Sequence, residues 1–220
     1  MGKVSVITEK QRLILRGLSR NDYFCRKFYF TGGTALSHYY LQHRYSDDLD
    51  FFSTEKLSND IIFGLMDDLG RKLKFKFESR FNEIVYVFNL KFAEGETLKI
   101  DFGYYPYKLI ENGGKNEMGI KIDSLRDIAT NKLLTVSQRT DIKDFVDLYF
   151  LLQDKYTVWD LIYGVEAKFR MEQDTVILGE YFLKVEDFKF LPRMIKPLKL
   201  PVLKDFFRNR AKKLGAEIFV

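Results

Sequence analysis

Phe30-Thr31-Gly32-Gly33-Thr34-Ala35-Leu36, followed by Arg44-Tyr45-Ser46-Asp47-Asp48-Leu49-Asp50-Phe51-Phe52, is the stretch on which the fold turns. Residues 28–30 are aromatic and strand-like, and the glycines let the backbone approach an anion. The helix expected next offers unpaired N–H groups and the positive end of its dipole to phosphate. Asp48 and Asp50 stand two apart on a second expected strand, so both carboxylates leave the same face. Two acids held side by side repel unless a cation lies between them. Magnesium prefers carboxylate and phosphate oxygens and commonly arrives with its substrate's phosphates. A glycine cradle beside an Asp-x-Asp pair therefore makes one coherent site for a nucleoside triphosphate and a divalent metal. A lone Gly-Gly is usually a turn, and a lone Asp-x-Asp a solvated strand end. The order and spacing of the two together carry the inference.

The chain has 220 residues, enough for one sizeable core or for one domain with a smaller helical appendage. Its 21 Phe and 13 Tyr point to a core filled by large rings and leave room for a groove where bases stack. A single cysteine, Cys25, excludes an internal disulfide. Two histidines, His38 and His43, leave too few soft ligands for a structural zinc site. No apolar run reaches membrane-spanning length, and the start Met1-Gly2-Lys3-Val4-Ser5-Val6 lacks a signal-peptide core and a myristoylation signal. The expectation is a cytoplasmic protein with no membrane partner. The net charge of +5 sits in the tail: residues 184–220 hold ten Lys or Arg against four Asp or Glu, a local +6 that leaves the rest at −1. Such a segment attracts a polyanion such as RNA, or forms a solvated helical face.

Helical spacing runs through residues 8–19, and residues 27–31 read as a strand before a short helix, Thr34 to Gln42. Asp48 to Phe52 is the next strand. Leu57, Ile61, Ile62, Leu65 and Leu69 make a helix stripe that runs into Leu73 to Phe77, which alternates like a half-buried strand. Ile84 to Phe88 and Thr97 to Phe102 are further strands, and the polar turn Glu94-Gly95-Glu96 favours a hairpin. Together these predict a mixed sheet. A polar loop, Glu111 to Asn116, separates this part from a stretch of helical period, which places a boundary near residue 122. The expectation is an α/β domain, residues 1–122, and a helical region, residues 123–220, that completes the cleft. Ser124-Leu125-Arg126-Asp127 resembles a capping box opening a helix to about Gln138. Further helices are expected at 141–153, 157–170, 174–183 and 201–213, with Pro192, Pro197 and Pro201 breaking the last stretch.

Transfer of a nucleotidyl group with two metals needs a phosphate cradle and two carboxylates shared between cations about 3.5–4 Å apart, often with a third acid near the attacking hydroxyl. Asp101 is the candidate third acid, on the strand Leu98-Lys99-Ile100-Asp101-Phe102 with Lys99 on its own face. Lys132 lies within an apolar helix stripe, so its ammonium either snorkels out or is aimed at an anion, where it would neutralise a triphosphate or pyrophosphate. Asp144 and Asp147, one turn apart on an apolar helix, want a partner, and Lys132 or Arg139 is available.

These motifs, Gly32 to Leu36, His43 to Phe52, Ile100 to Phe102, and Asn131-Lys132-Leu133 with Arg139 to Asp147, resemble the AbiEii/AbiGii toxin-type nucleotidyltransferases of the polymerase-β-like superfamily, over about residues 28–152. The resemblance implies an α/β (α+β) minimal nucleotidyltransferase fold and magnesium, with Asp48 and Asp50 as metal ligands. It also implies Gly32, Gly33 and Thr34 at the phosphates of a nucleoside triphosphate, with Ser46 in the nucleotide-binding set. Lys132 and Asp144 match the family's later Lys and Asp motifs and join Asp48, Asp50 and Asp101 as candidate catalytic residues. The superfamily glycine is usually followed by Ser; here Gly33-Thr34 keeps a hydroxyl one place later. The resemblance further implies a bacterial toxin–antitoxin or abortive-infection toxin that acts on RNA, in particular tRNA, with an antitoxin that need not touch it. Two alternatives stand beside it: a non-catalytic nucleotide- or RNA-binding module, and a glycosyltransferase using Asp-x-Asp to hold a nucleotide sugar.

Overall fold

The computed structural model describes residues 6–216; the chain start, on which the targeting expectation rests, and the last four residues lie outside the described residues. The chain divides into two compact units. One comprises residues 6–40, 46–108 and 112–124, and the other residues 41–45, 109–111 and 125–216.

The first unit is built on a six-stranded sheet in the order β3-β4-β5-β2-β1-β6. Its strands are β1 (Tyr29–Thr31), β2 (Leu49–Ser53), β3 (Phe75–Asn82), β4 (Val85–Phe92), β5 (Thr97–Tyr104) and β6 (Lys121–Ile122). β2 runs antiparallel to β1 and parallel to β5, while β3, β4 and β5 form an antiparallel meander, so the sheet is mixed as expected. Strand alternation sorts the side chains. Phe30, Phe51 and Phe102 are register neighbours across three strands and fully buried, with ring centroids 5.2 and 5.6 Å apart. Each ring buried this way contributes roughly 2–3 kcal/mol, so this face is core.

Helix α1 (Glu9–Leu18) opens with a capping box, Thr8 with Gln11. Helix α2 (Asp22–Lys27) has no counterpart in the sequence reading, because six residues hold less than two turns of period. Asn21 caps it, and its Phe24 packs edge-on against Phe51 at 5.0 Å. It also takes Lys27, expected as the start of a strand. Helix α3 (Gly32–Ala35) starts at the glycine, two residues ahead of expectation, and widens into a π-helical segment, Leu36–Leu41, that stops at Gln42 with φ 49°. Helix α4 (Asn59–Leu73) buries Ile62, Leu65, Met66 and Leu69, leaving Ile61 of the expected stripe exposed.

The two residues of β6, too few to show a period, pair parallel with β1. Gly113 lies so close to this edge that a Cβ there would stand 1.7 Å from the Ile122 carbonyl oxygen. The polar loop expected as a spacer is therefore packed on the sheet.

The second unit is helical: α5 (Leu125–Gln138), α6 (Ile142–Asp154), α7 (Val158–Phe169), α8 (Thr175–Leu183) with a 3-10 turn (Lys184–Asp187), and α9 (Leu200–Ala216). Phe207 of α9 meets Phe145 of α6 and Phe182 of α8 at 5.1 and 5.2 Å. Pro201 sits in the first turn of α9, where its missing N–H leaves no helical bond unmade. Asp127 accepts the backbone N–H of Ile110 and Glu111 and pairs with Lys168 at 2.6 Å, fastening residues 109–111 and α7 to α5. Among the described residues, no helix is long and apolar enough to cross a membrane.

Candidate active site

The face of the sheet opposite the aromatic core carries the acids. Thr31, Asp50, Asp101 and Val87 form one row across β1, β2, β5 and β4. Asp48 precedes β2 by one residue and by alternation joins Asp50 on this side. Gly32 stands at φ +74°, and a Cβ on it would fall 2.1 Å from Asp50 Oδ2, so the glycine bend and the carboxylate are in direct apposition. Only glycine satisfies both the backbone angle and the space.

Asp101 faces Asp50 in register, and its Oδ2 lies 2.6 Å from the Lys99 ammonium. Its Oδ1 is buried with no hydrogen-bond partner among the described residues. Burial raises the Asp101 pKa; Lys99 opposes the rise, Asp48 adds to it and Arg80 opposes it, and the net direction is up. Burial lowers the Lys99 pKa, but the hydrogen bond and charge of Asp101, joined by Asp48 and Asp50, more than reverse this. The Lys99 ammonium thus contacts Asp101 and feels the charges of Asp48 and Asp50.

A donor set of carboxylate oxygens, one of them unpartnered, suits a hard divalent cation. Among the described residues, no three acidic, His or Cys side chains stand together closely enough to hold a metal ion by themselves. Magnesium commonly completes its shell with phosphates and water.

Backbone geometry around the acids is held by residues that sequence patterning did not single out. Gln11 is buried and donates from Nε2 to the carbonyls of Ser46 and Asp47 at 3.1 and 3.0 Å, pinning the loop that enters β2. Its signal was a polar residue on the stripe formed with Ile14, Leu15 and Leu18. Asp123, also buried, accepts the Thr31 hydroxyl at 2.7 Å while its own N–H donates to the Phe30 carbonyl. Thr31 is the N-cap residue of α3 but makes no side-chain cap there, so the first-turn N–H groups of Gly32 to Thr34 are not capped by it. Thr34 is fully buried, and its hydroxyl donates to the Asp48 carbonyl. The hydroxyl expected at a phosphate instead ties the glycine turn to the acid-bearing strand. Ser46 is likewise buried.

Lys132 and Asp144 belong to a different cluster, inside the helical unit. The Lys132 ammonium lies 2.6 Å from Asp144 and 2.7 Å from Asp147, with its side chain 10% exposed. It neither snorkels nor stands open to an anion; it is the partner the two acids required. Arg139 adds a bond to Asp144 at 2.8 Å. Arg44 grips Asp147 with Nε and a second guanidinium nitrogen at 2.6 and 2.8 Å, and His43 Nε2 lies 2.7 Å from it. Asp147 is buried, yet Arg44, Lys132 and His43 hold its carboxyl well below the usual range. Asp144 is lowered in the same way, with Lys132 and Arg139 outweighing burial. Burial lowers the pKa of His43. Residues 193–196 brace this loop, with Tyr45 N–H bonded to Arg193 and the N–H groups of Ile195 and Lys196 to the His43 carbonyl.

A family model described as nucleotidyl transferase AbiEii toxin, type IV toxin–antitoxin system, matches residues 13–216. The chain belongs to this family. The glycosyltransferase alternative falls with that match. The chain is also similar to an uncharacterized protein, aq_aa25, of Aquifex aeolicus (strain VF5), 37% identical over 139 residues. That alignment spans 62% of this chain and 62% of the relative. Among solved structures, JHP933 from Helicobacter pylori superposes with a TM-score of 0.57 at 18% identity, covering 96% of this chain and 94% of that one. MenT4, a nucleotidyltransferase toxin of Mycobacterium tuberculosis H37Rv, gives a TM-score of 0.58 at 16% identity, covering 94% and 82%. At such identities the likeness is one of fold.

Proposed function

We propose that this AbiEii-family protein is a magnesium-dependent nucleotidyltransferase that moves a nucleoside monophosphate from a nucleoside triphosphate to a hydroxyl of RNA, with tRNA as the acceptor class. The observation that carries the proposal is the apposition of Asp50 to the Gly32 bend, with Asp101 in register beside it and Asp48 one residue ahead of the strand that carries Asp50.

In this reading the N–H groups of Gly32 and Gly33 receive triphosphate oxygens, because their N-cap hydroxyl is committed to Asp123. Asp48, Asp50 and Asp101 are the residues that would hold magnesium. Bound there, it would supply Lewis-acid polarisation of the transferred phosphoryl group and neutralise charge on the leaving pyrophosphate. Asp101, with one oxygen unpartnered and its pKa raised, is suited to accept the proton of the attacking hydroxyl. Thr34, Ser46 and Gln11 act by fixing the loop and strand that carry the ligands. Lys132 and Asp144 act by ordering α5 and α6, the helices that carry them. The basic stretch 184–220 supplies attraction for a polyanionic acceptor, which weakens with salt.

Incubation with labelled triphosphates, magnesium and total tRNA is expected to label an RNA acceptor, and Asp48→Ala to reduce that labelling at least about a hundredfold. Equal labelling by variant and parent overturns the assignment. Triphosphate binding with no pyrophosphate release would favour the non-catalytic module instead.

A further inference from the structure

We propose that Lys99 is a resident counter-ion that holds the place of a divalent cation on the carboxylate face and yields it only when the cation arrives with a polyphosphate. The proposal rests on Asp48, Asp50 and Asp101 being the metal ligands. It makes metal binding and nucleotide binding strongly coupled at this site.

Lys99 lies two residues before Asp101 on the same face of β5, with its ammonium 2.6 Å from Asp101 Oδ2. Asp50 is the register partner of Asp101, the parallel ladder ends at Leu49 and Ile100, and Asp48 and Lys99 are the residues just before that pair. Lys99 pairs with Asp101 and stands in the field of Asp48 and Asp50, a positive charge among acids on a partly buried surface. Asp101 is divided between states: one oxygen holds the ammonium, the other is buried without a partner.

The contrast with Lys132 shows why Lys99 can move. Lys132 is clamped between two carboxylates, and its side chain is 10% exposed. The Lys99 side chain is 34% exposed, and Asp101 is the one carboxylate within ion-pair distance of it among the described residues. A flexible four-carbon stem with one anchor can swing its charge to a new partner. A bare divalent cation must displace that ammonium from Asp101 and leave it unpaired close to a +2 ion. A cation carried by a triphosphate brings oxygens that take the ammonium over, so the displacement is compensated.

The test is a calorimetric titration of Mn2+ into the full-length protein without nucleotide, for the parent, Lys99→Met and Lys99→Arg. Lys99→Met is expected to bind Mn2+ at least about tenfold more tightly than the parent, about 1.4 kcal/mol, and Lys99→Arg to match the parent. With a non-hydrolysable triphosphate present, the advantage of Lys99→Met should shrink or invert. Equal Mn2+ affinity of parent and Lys99→Met overturns the counter-ion role while leaving the metal site intact. Absence of Mn2+ binding in every variant, with and without triphosphate, overturns the metal site itself. Should Lys99→Met fail to fold, Lys99→Gln carries the same comparison.

Discussion

Two clusters of charge occupy this molecule, and they are balanced in opposite ways. On the sheet of the first unit, Asp101 holds a one-third-exposed ammonium with Asp48 and Asp50 acting on it from further off, and a carboxylate oxygen of Asp101 is left buried without a partner among the described residues. In the helical unit, Asp144 and Asp147 are met by Lys132, Arg139 and Arg44, with His43 bonded as well, and both acids are driven below their ordinary pKa. The helical cluster is complete in itself, and removing any member strands another. The sheet cluster has one acid paired by contact and one carboxylate oxygen buried without a partner among the described residues. A protein keeps such an oxygen only at some cost in stability, and the arrangement suits a ligand that brings positive charge.

The sharpest way to break the comparison is Asp147→Ala, which leaves Arg44, Lys132 and His43 buried around a void. A loss of about 3–5 kcal/mol is expected in denaturant unfolding, as for other buried pairs that lose one partner. Acid titration should show the same contribution. The folded pKa of Asp147 lies below its unfolded value, so its stabilisation is fully present above about pH 4 and is lost as pH falls through the depressed folded value. The groups facing it are Arg44, Lys132 and His43, of which the two cations keep their charge throughout that window. Parent and variant melting curves should therefore converge as pH drops from 4 towards 2. A constant gap across that range would place the stabilisation elsewhere.

How much of this was legible in the chain depended on range. Local patterns were informative: alternation in residues 84–88 and 97–102 gave two strands of the mixed sheet, and Gly32-Gly33 with Asp48-x-Asp50 gave a turn and an acid, Asp50, that stand in direct apposition. Short elements were not, since neither α2 nor β6 holds enough residues to display a period. Buried polar residues with distant partners were missed for a related reason. Gln11 reaches residues 35 and 36 positions away, and Thr31 reaches Asp123 across 92, which no spacing rule encodes. Lys132 was ambiguous because an apolar stripe cannot say whether its lysine meets solvent, an anion or a carboxylate on the next helix. Residues 41–45 read as part of the acid-bearing loop, yet the grip of Arg44 on Asp147 puts them with the helices.

A smaller effect sharpens the sheet side. Gly32→Ala forces a side chain into the left-handed region and drives its Cβ against Asp50 Oδ2. The backbone term alone is about 1–2 kcal/mol. Stability should fall by more than that, because the Cβ also meets Asp50 Oδ2, and transfer activity should fall further still because the displaced group is a proposed ligand. Melting of Gly32→Ala beside Gly95→Ala separates the two terms. Gly95 also has positive φ, but a Cβ there meets nothing within 4 Å. An equal loss in both would mean that the apposition to Asp50 contributes nothing.

The smallest expected change in stability is the one that most divides the two clusters. Asp101→Asn keeps the shape of the side chain, removes one of three like charges, and relieves the burial that raises the Asp101 pKa. It also gives up a pair with a one-third-exposed lysine, and pairs of that kind contribute at most about 1 kcal/mol. Lys99 keeps Asp48 and Asp50 nearby. The terms nearly cancel, so metal-free unfolding should shift by less than about 1 kcal/mol, towards higher stability if at all. The stabilisation that Mn2+ confers on the parent should be largely lost in the variant, because a cation has then lost a charged ligand. If Asp101→Asn instead cost as much as Asp147→Ala, the sheet acids would be a self-satisfied structural network like the helical one, and the case for a missing cation would fail.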